Sequence, residues 1–542
     1  MITFHQNNSF KNNSFKNNNY QNSTYLRANR LSYQHPDGEW QFKSLQFSVA
    51  QGVYGLVGDN GSGKSLLCSL LLKRNAPTLG NIEIQGRVGW LDQQHDSNTI
   101  DQSIAQYLGL ESALLALERI EKGSVKQTDF DLVNDRWDLR NELSKELTEL
   151  RLPPDPYSSV QTLSGGELTR LRLWVLFLEN PDILILDEPS NHLDNNGKRW
   201  LCDQLAQFQG RALIVSHDRE LLNTVDGIFE LSSLGIQFCS GNYDAYAQIR
   251  DREQASIARK LEETEKQQKL AAKKAQSDHE KAQKRAAQGN KLRKSGSQDK
   301  MILDAAKNSA QKTNAAKREM HRQRQSELSE LKQQLQSKQS NSHALTLSFE
   351  SHRQKNQRLL HLQQCALPYG AAEPINWEVF LGDKWRIDGD NGKGKSTLLK
   401  CIFDELTFTA GQYSAKKSLY VDQHFSLLGE ALPLLDLVST HLPHLTHGEI
   451  RNLLAAIGFK RDSVFRISHQ LSGGEKMELA LLIASHQAEP CLLLLDEPDN
   501  HLDLNSKRIF ANTLRDYSAG FVLVTHDSYF ARESGIESTL TI

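Results

Sequence analysis

Two short glycine-rich motifs of the chain have the spacing of a phosphate-binding loop. The stretch "GDNGSGKS" spans residues 58–65 and "GDNGKGKS" spans residues 389–396, and both fit the pattern GxxxxGK[ST]. In such a loop, successive backbone N–H groups run into a helix N-terminus and surround phosphate oxygens. We therefore expect Lys64 and Lys395 to reach the β- and γ-phosphates of a nucleotide, and the serine after each lysine to bind Mg²⁺.

A second repeated phrase supplies carboxylates. It reads "LDEPSNHLD" at residues 186–194 and "LDEPDNHLD" at residues 495–503, so the two copies differ at one position. Each copy follows a short apolar run, as expected for a parallel strand that is buried on both faces. A carboxylate at the C-terminal end of such a strand faces the ligand crevice of an open α/β sheet. We expect the aspartates to hold the metal and the glutamates to polarise the attacking water; these residues are Asp187, Asp496, Glu188 and Glu497.

Three further motifs occur twice in the same order. They are "GWLDQQH" and "SLYVDQH", "LSGGE" in both halves, and "LIVSHD" and "VLVTHD". The spacing from aspartate to histidine is 30 residues in both halves, from Asp187 to His217 and from Asp496 to His526. Five ordered motifs at matched spacing indicate a tandem duplication of one nucleotide-handling domain.

The repeated positions also predict the remaining contacts. The histidines after the apolar strands are expected at the γ-phosphate, and the glutamines suit a metal or water contact. The "LSGG" turn offers unpaired N–H groups where a helix begins, and two tyrosines upstream of the loops could stack on adenine. The expected nucleotide contacts are Tyr33, Gly58, Asp59, Asn60, Gly61, Ser62, Gly63, Lys64, Ser65, Gln93, Ser164, Gly165, Gly166, Tyr369, Gly389, Asp390, Asn391, Gly392, Lys393, Gly394, Lys395, Ser396, Thr397, Gln423, Ser472, Gly473 and Gly474. The expected catalytic residues are Glu188, Glu497, His217 and His526, and the expected Mg²⁺ ligands are Ser65, Gln93, Asp187, Ser396, Gln423 and Asp496.

The composition predicts a multidomain protein of the cytosol. At 542 residues the chain is too long for one core, and no stretch approaches the roughly 18 to 20 apolar residues that span a bilayer. The asparagine-rich segment 1–24 lacks a signal-peptide core and is predicted to be disordered. The 6 cysteines stand singly without a CxxC pair, which argues against a zinc site, an iron–sulfur cluster or a disulfide framework.

The middle of the chain is charged and predicted to be helical. Residues 251–340 contain 22 Lys or Arg against 12 Asp or Glu and no proline. Two thin apolar seams at helical spacing predict two long antiparallel helices with a turn within 286–315. The excess positive charge is concentrated in 281–318, which favours a phosphate-rich partner, although a merely solvated face remains an alternative. Candidate RNA contacts are Lys291, Arg293 and Lys294.

The ordered set of motifs resembles the ATP-binding-cassette (ABC) ATPases. The resemblance implies an α/β fold with two tandem cassettes, each with a RecA-like core and a helical subdomain, joined by a long helical hairpin. In this family two cassettes sandwich two ATP molecules head to tail, so that each phosphate loop works with the "LSGG" of the other half. Lys64 is then expected to share a site with 472–474, and Lys395 with 164–166. One chain that carries both halves is expected to be monomeric, with an intramolecular sandwich.

The "NHLD" endings, the fused pair and the charged linker resemble the soluble F branch, ABC-F. The stretch "SGNYDAYAQIRDREQ" at 240–254 also resembles the start of that branch's linker. The resemblance implies a cytoplasmic, Mg²⁺-dependent ATPase that acts on the ribosome. Such proteins enter at the exit site for tRNA and direct the hairpin toward the peptidyl tRNA, near rRNA. Antibiotic protection, rescue of stalled ribosomes and general tuning of translation all remain open as its role.

These inferences give domain boundaries and two competing functions. We predict a disordered segment at 1–24, a first cassette at 25–240, a coiled-coil linker at 241–345 and a second cassette at 346–542. The first half is longer between its glutamine and its "LSGG" turn, which allows a short arm at 120–143. The main alternative function is the ATPase subunit of an ABC transporter with separate membrane subunits. A DNA-bound ABC protein is the other.

Overall fold

A computed structural model of the chain describes most of the two halves and the linker helices. The described residues are 24–92, 102–191, 193–232, 234–295, 300–338, 357–371, 373–390, 392–423, 425–429, 432–489, 491–500 and 502–542. The predicted disordered residues 1–23 and the candidate ligands Gln93 and Asn391 lie outside them, as do the side chains of Arg293 and Lys294. The chain divides into two compact units, Met1–Asp244 with His343–Ile542, and Ala245–Ser342.

Two sheets form the framework of the first half. A three-stranded antiparallel sheet has the order β2-β1-β4, and a six-stranded sheet has the order β5-β6-β7-β3-β8-β9. All neighbours in the larger sheet are parallel except β8 and β9. The strands are β1 (Tyr25–Gln34), β2 (Trp40–Val49), β3 (Gly52–Val57), β4 (Leu79–Gln85), β5 (Val88–Leu91), β6 (Ile183–Asp187), β7 (Arg211–Val215), β8 (Gly227–Ser232) and β9 (Gly235–Ser240).

Helices flank this framework and form a separate apolar cluster. Leu114, Leu143 and Leu171 are each at most 2% exposed within it, so the helices that carry them have a core of their own. Leu67 and Leu70 of the first helix pack with the sheets instead. The helices are α1 (Lys64–Leu71), α2 (Ile104–Tyr107), α3 (Glu111–Glu121), α4 (Gln127–Val133), α5 (Leu139–Glu149), α6 (Gly165–Leu178), α7 (Asn195–Gln207) and α8 (Arg219–Leu222). The segment 120–143, predicted as a short arm, contains α4, and its role as an arm stays a prediction.

The second half repeats this arrangement. Its sheets have the orders β11-β10-β13 and β14-β15-β16-β12-β17. The strands are β10 (Arg358–Ala366), β11 (Ile375–Phe380), β12 (Lys384–Asp388), β13 (Ala410–Ala415), β14 (Ser418–Val421), β15 (Leu492–Asp496), β16 (Phe521–Val524) and β17 (Ser538–Thr541). The helices are α11 (Lys395–Ile402), α12 (Leu434–His441), α13 (His447–Ala456), α14 (Gly473–Ser485), α15 (Leu504–Asp516) and α16 (Ser528–Glu533).

Local sequence explains the strands that carry the repeated phrases. All five residues of β6, "ILILD", and of β15, "LLLLD", are buried. Apolar side chains on both faces suit the centre of a parallel sheet covered on both sides. The two runs predicted as buried strands therefore form, and each ends at its predicted metal aspartate. The turns "LSGG" also begin helices α6 and α14, as predicted.

Two long helices make up the linker. Helix α9 (Tyr243–Ser295) has 53 residues, and α10 (Lys300–Lys338) has 39. The Lys332 ammonium lies 2.9 Å from Glu265 Oε1, and His321 Nε2 lies 3.2 Å from Asp278 Oδ2. Residues later in α9 contact residues earlier in α10, so the two helices run antiparallel. The predicted hairpin is confirmed: α9 ends at Ser295 and α10 begins at Lys300, both within the range 286–315 that was predicted for the turn.

The two halves of the first unit meet around a buried arginine. Arg219 is 1% exposed and donates from Nη1 to Glu533 Oε2 at 2.7 Å. Its guanidinium carbon lies 5.7 Å from the centre of the Tyr243 ring. That ring in turn packs edge-on against Tyr529, with centroids 6.3 Å apart. Arg219 therefore connects the first half, the second half and the first residue of α9.

We expect Glu533→Ala to destabilise the protein more than Arg219→Met. Removal of the carboxylate takes away the hydrogen-bonded partner of a buried cation, although Asp527 stays nearby, at a cost of about 1 to 3 kcal/mol. Methionine instead removes the buried charge and keeps much of the volume, and the Glu533 carboxylate that it leaves is 38% exposed and can be hydrated. Differential scanning calorimetry should show a melting temperature lower by several degrees for Glu533→Ala. A larger loss in Arg219→Met would contradict this account.

Candidate active site

Each phosphate loop joins a central strand to a helix through a glycine in the left-handed region. Helix α1 is preceded by Gly63 at φ +94°, and α11 by Gly394 at φ +99°. A Cβ at Gly63 would lie 2.9 Å from the Gln41 side chain, and one at Gly394 would lie 2.8 Å from the Tyr369 carbonyl oxygen. Both the backbone angle and the available space therefore require glycine.

The loop lysines adopt the same conformation in both halves. The Lys64 ammonium donates to the carbonyls of Gly58 at 2.8 Å and Asp59 at 3.1 Å. The Lys395 ammonium donates to the two corresponding carbonyls at 2.6 and 3.2 Å. Burial lowers the pKa of both lysines, although nearby carboxylates oppose the shift. Each cation is thus held inside its loop, next to the carboxylates that follow β6 and β15.

Each metal-ligand candidate has a buried carboxylate oxygen available. Asp187 and Asp496 are 6% and 5% exposed, and they accept hydrogen bonds from Ser65 and Ser396 respectively. Oδ1 of each aspartate is buried, and none of the described residues forms a hydrogen bond with it. Burial raises the pKa of both carboxyls, and the serine hydroxyls oppose it. An unpaired buried carboxylate oxygen beside a hydroxyl fits a hard cation such as Mg²⁺, which commonly takes one carboxylate together with phosphates.

The surroundings of the two aspartates differ. The Tyr420 hydroxyl donates to Asp496 Oδ2 at 3.0 Å. The corresponding residue in the first half is Trp90, which is 38% exposed and lies under the Arg74 guanidinium, 3.9 Å from its carbon to the ring centre. Tryptophan has no hydroxyl to donate, so only the second aspartate has this hydrogen bond.

The two candidate bases have strained backbones. Glu188 has φ +50° and Glu497 has φ +48°, angles that are uncommon for residues other than glycine. Their amides donate to Val215 and Val524 carbonyls, both at 2.9 Å, which ties them to the neighbouring strand. Strain of this kind concentrates at functional sites, where the surrounding structure maintains it.

A histidine faces each glutamate. His217 Nε2 lies 3.5 Å from Glu188 Oε1, and His526 Nε2 lies 3.4 Å from Glu497 Oε1. In the second half, Gln423 and Asn500 also donate to Glu497 Oε2, at 2.5 and 2.7 Å. The structure thus brings the second glutamate together with its predicted glutamine and histidine.

The pKa values of the two glutamates shift in opposite directions. Burial, with Asp187 nearby, raises the pKa of Glu188 to about 8. For Glu497, burial also acts to raise the pKa, but the His526 imidazole 3.4 Å away and the hydrogen bond from Asn500 outweigh it and lower the pKa overall. Burial lowers the pKa of His217 to about 3, helped by nearby lysines, so that this imidazole is neutral at pH 7. The two sites therefore differ in electrostatics although their sequence motifs match.

The two "LSGG" turns, called the signature turns from here on, form the N-terminal caps of helices α6 and α14. Ser164 Oγ accepts from the amide of Glu167, and the Glu167 carboxylate accepts from the Ser164 amide at 2.7 Å. Ser472 and Glu475 form the same reciprocal pair before α14. This capping box fixes the start of each helix and the position of the two glycines after each serine.

A cavity of about 700 Å³ lies between the halves. Each phosphate loop also has its own polar contact with the opposite half. The Asn60 amide donates to Asp503 Oδ2 at 3.0 Å, and Arg151 lies 3.7 Å from Asp390 Oδ2. Ser472, Gly473 and Gly474 are described but do not line this cavity, so their expected contact with the first loop stays a prediction. Predicted residues that do line it are Asn60, Gly61, Gly63, Lys64, Ser65, Ser164, Gly165, Gly166, Asp187, Glu188, His217, Gln423, Glu497 and His526.

Comparison with known proteins gives the family. The model of the ABC transporter family matches residues 42–191 and 372–500, one match in each half. "ABC transporter F family member 4" of Arabidopsis thaliana is 28% identical over 530 residues, covering 91% of this chain and 70% of that protein. The chain belongs to the ABC-F family of ATP-binding-cassette proteins. Both halves of this ABC-F chain are therefore ABC cassettes, which confirms the predicted fold class and agrees with the predicted ATPase class.

Other relatives differ in how much of their length matches. The ATP-binding protein YdiF of Bacillus subtilis is 35% identical over 384 residues, and the match covers 69% of this chain but only 54% of YdiF. "Ribosome protection protein VmlR" of the same organism is 28% identical over 520 residues, covering 93% of this chain and 84% of VmlR. The ABC-F chain thus matches VmlR over most of both lengths and YdiF over about half of YdiF.

A solved structure has the same fold at low identity. It is the complex of archaeal ribosomal stalk protein aP1 with ribosome recycling factor aABCE1, with a TM-score of 0.57 and 17% identity, covering 94% of this chain and 87% of that chain.

Among the described residues of the ABC-F chain, no helix combines the length and apolarity needed to cross a bilayer.

The predicted adenine contacts of the ABC-F chain lie in different surroundings. Tyr33 packs against the core of the first cassette, and its ring meets His35 edge-on at 5.4 Å. Tyr369 is 72% exposed, and its carbonyl lies beside Gly394. Stacking on adenine stays a prediction for both tyrosines.

Sequence reasoning missed a side chain that supports the first phosphate loop. Gln41 Nε2 donates to the Gly61 carbonyl at 2.6 Å, while Gln41 Oε1 lies 2.9 Å from His35 Nε2. No repeated motif marked this residue, because "QF" at 41–42 has no counterpart in the pattern. It became visible only through the hydrogen bond.

A second omission is the group of buried charges between the cassettes. We define the central charge cluster as Lys198, Asp218, Asp499, Lys507 and Asp527, all of which line the cavity. A signal for it was present in the sequence. The one position at which the two nine-residue phrases differ is Ser190 in the first and Asp499 in the second.

Proposed function

We propose that this ABC-F protein binds two ATP molecules between its cassettes, hydrolyses them with Mg²⁺ and couples that cycle to ribosome binding. The observation that carries the proposal is the repeated constellation of loop lysine, serine-bonded aspartate and strained glutamate facing a histidine. Each constellation lies within reach of the other cassette. A cytoplasmic protein that works as a monomer, with both sites formed within one chain, fits this cycle.

In this proposal the chain's own residues have distinct roles. The loop amides and lysines orient the phosphates, and the serine and aspartate of each cassette hold the metal. Mg²⁺, when bound there, would neutralise charge that develops on the phosphates. Each glutamate orients and deprotonates water, while the histidine beside it positions that carboxylate. The signature turns would complete the opposite site through their helix N-termini.

The ribosome is proposed as partner on two grounds. VmlR, matched over 93% of this chain, bears the name ribosome protection protein. The linker carries the excess of Lys and Arg expected of an RNA-binding surface. Within the described part of α9, Arg259, Lys260, Lys269 and Lys291 have exposed side chains. We propose that the end of the hairpin near Lys291 contacts rRNA or tRNA near the exit and peptidyl sites.

We expect ribosome binding to depend on salt through the end of the hairpin. Reversal of charge at Lys291, Arg293 and Lys294 should weaken association and reduce the slope of log affinity against log salt by about 3, because each phosphate contact releases about one counterion. Sedimentation with ribosomes at two salt concentrations measures both quantities. Hydrolysis without ribosomes should remain, because these positions lie outside both cassettes.

A matched control separates a local contact from net charge. Reversal at Arg259, Lys260 and Lys269 changes the net charge equally, but these residues lie at least about 30 Å of helix from Lys291. The control should bind ribosomes better than the variant changed near the turn. Equal binding by both variants would make the charge a general property of the linker. Unchanged binding by the first variant would leave the hairpin as a spacer.

The biological role needs a separate measurement. Antibiotic protection, rescue of stalled ribosomes and tuning of translation are all compatible with a hairpin that reaches toward the peptidyl tRNA. A susceptibility panel with ribosome-targeting drugs, run with and without the protein, separates the first role from the others. Protection should disappear in a hydrolysis-deficient variant if turnover drives the protein's release.

A further inference from the structure

The position that distinguishes the two nine-residue phrases is buried in both cassettes. Ser190 is 7% exposed, and its hydroxyl lies 3.4 Å from that of Ser216. Asp499 is 3% exposed, and its Oδ1 accepts from the Thr525 hydroxyl at 2.7 Å. The exchange of serine for aspartate therefore places one additional carboxyl group in the interior, on the second cassette alone.

This carboxyl group adjoins a lysine that reaches the other cassette. Lys507 Nζ lies 3.7 Å from Asp499 Oδ2 and 3.2 Å from Asp527 Oδ2. It also donates to the His217 carbonyl of the first cassette at 3.3 Å. Lys507 thus hydrogen-bonds Asp527 and the His217 carbonyl, while Asp499 is close enough for an ion pair but not for a hydrogen bond.

The matching lysine of the first cassette is held differently. Lys198 pairs with Asp218 of its own cassette, with Nζ 2.5 Å from Oδ2. Ser190, at the position of Asp499, brings no second carboxylate to Lys198. Two lysines and two aspartates of the central charge cluster are thus related by the duplication, and Asp499 is the unmatched fifth member.

The carbonyl that Lys507 contacts belongs to the first candidate site. His217 is the residue whose Nε2 faces Glu188 Oε1 at 3.5 Å. A hydrogen bond to its main chain restrains the segment that carries this imidazole. The path from Asp499 to Lys507 and on to His217 therefore leads from the second cassette into the first site.

We propose that Asp499 and Lys507 are positioning residues for the first nucleotide site and make the two sites unequal. Asp499 attracts the Lys507 ammonium electrostatically and keeps it beside Asp527, where the ammonium also donates to the His217 main-chain carbonyl opposite Glu188. This inference rests on the proposed ATP hydrolysis. It adds that the first site is positioned by a carboxylate–lysine pair of the second cassette, whereas Ser190 supplies no such carboxylate to the second site.

The test uses variants in which only one site can hydrolyse. Glu497→Gln leaves the first site intact, and Glu188→Gln leaves the second. Asp499→Ser, which installs the residue of the first phrase, is added to each, and hydrolysis is followed in a single turnover with protein in excess over ATP. We expect roughly a 2- to 30-fold slowing in the Glu497→Gln background, and a smaller change in the Glu188→Gln background.

Matched changes separate charge, shape and simple loss of structure. Asp499→Asn keeps the shape without the charge, and it should resemble Asp499→Ser if the carboxylate holds Lys507. Lys507→Met should also slow the first site selectively. Lys198→Met, the equivalent change in the first cassette, should lack that selectivity because Lys198 pairs within its own cassette. Melting temperatures identify any variant that has lost its fold, and such a variant is replaced by Asp499→Asn in the comparison.

The outcomes distinguish this inference from the proposed function. No hydrolysis by either single-site parent would contradict the proposed function itself. Equal slowing of both sites by Asp499→Ser, or no slowing of the first, would overturn the inference and leave the function standing. Hydrolysis by the second site alone would overturn it as well, since there would then be no active first site to position.

Discussion

Replacement of Glu188 and Glu497 together by glutamine is expected to reduce steady-state ATP turnover by about 10² to 10⁴-fold. The amide keeps the size of the side chain but cannot accept a proton from water. Nucleotide binding should survive, because the loop lysines and the metal-ligand aspartates are unchanged. Phosphate release measures the loss, and nucleotide retained through gel filtration measures the ATP-bound state that should accumulate.

The single changes provide the internal control for this experiment. Two equivalent sites would leave similar residual activity in Glu188→Gln and in Glu497→Gln. The structure gives the two glutamates opposite pKa shifts: burial raises the pKa of Glu188, whereas at Glu497 the nearby His526 imidazole and the Asn500 hydrogen bond outweigh burial. We therefore expect unequal residual rates. Near-normal turnover by the double variant would contradict the assignment of the bases.

A second large effect is expected when Lys64 and Lys395 are both replaced by methionine. Each ammonium is buried against loop carbonyls and, in the proposed site, would meet phosphate charge instead. At 100 times Kd a ligand adds about 2.7 kcal/mol of stability, so saturating Mg²⁺–ATP should raise the melting temperature of the unmodified protein by about 5 to 10 °C. The double variant should lose this increase.

Thermal melts with and without nucleotide decide the matter without any measurement of hydrolysis. Each single lysine change should remove part of the stabilisation, because the other loop is still intact. A full nucleotide-dependent increase in the double variant would show that the lysines do not contact the phosphates. The melting temperature without nucleotide serves as the control for folding, since methionine keeps most of the buried stem.

The sequence alone determined the elements that carry the chemistry. Patterns of two and 3.6 residues are properties of strands and helices, so the apolar runs before Asp187 and Asp496 were predicted as buried strands, and the long charged segment as a helical hairpin. Glycine spacing fixed the phosphate loops, because only glycine tolerates the backbone angles that Gly63 and Gly394 adopt. The duplication followed from motif order and needed no coordinates.

Only the tertiary structure decided which residues of the two halves meet. The sequence does not show that Lys507 contacts the His217 carbonyl or that Arg219 pairs with Glu533, because the partners in each contact are roughly 300 residues apart. The inequality of the two sites also needed coordinates. A pKa depends on burial and on charges close in space. The exchange of Ser190 for Asp499 matters only because folding buries Asp499 beside Lys507, which contacts both cassettes.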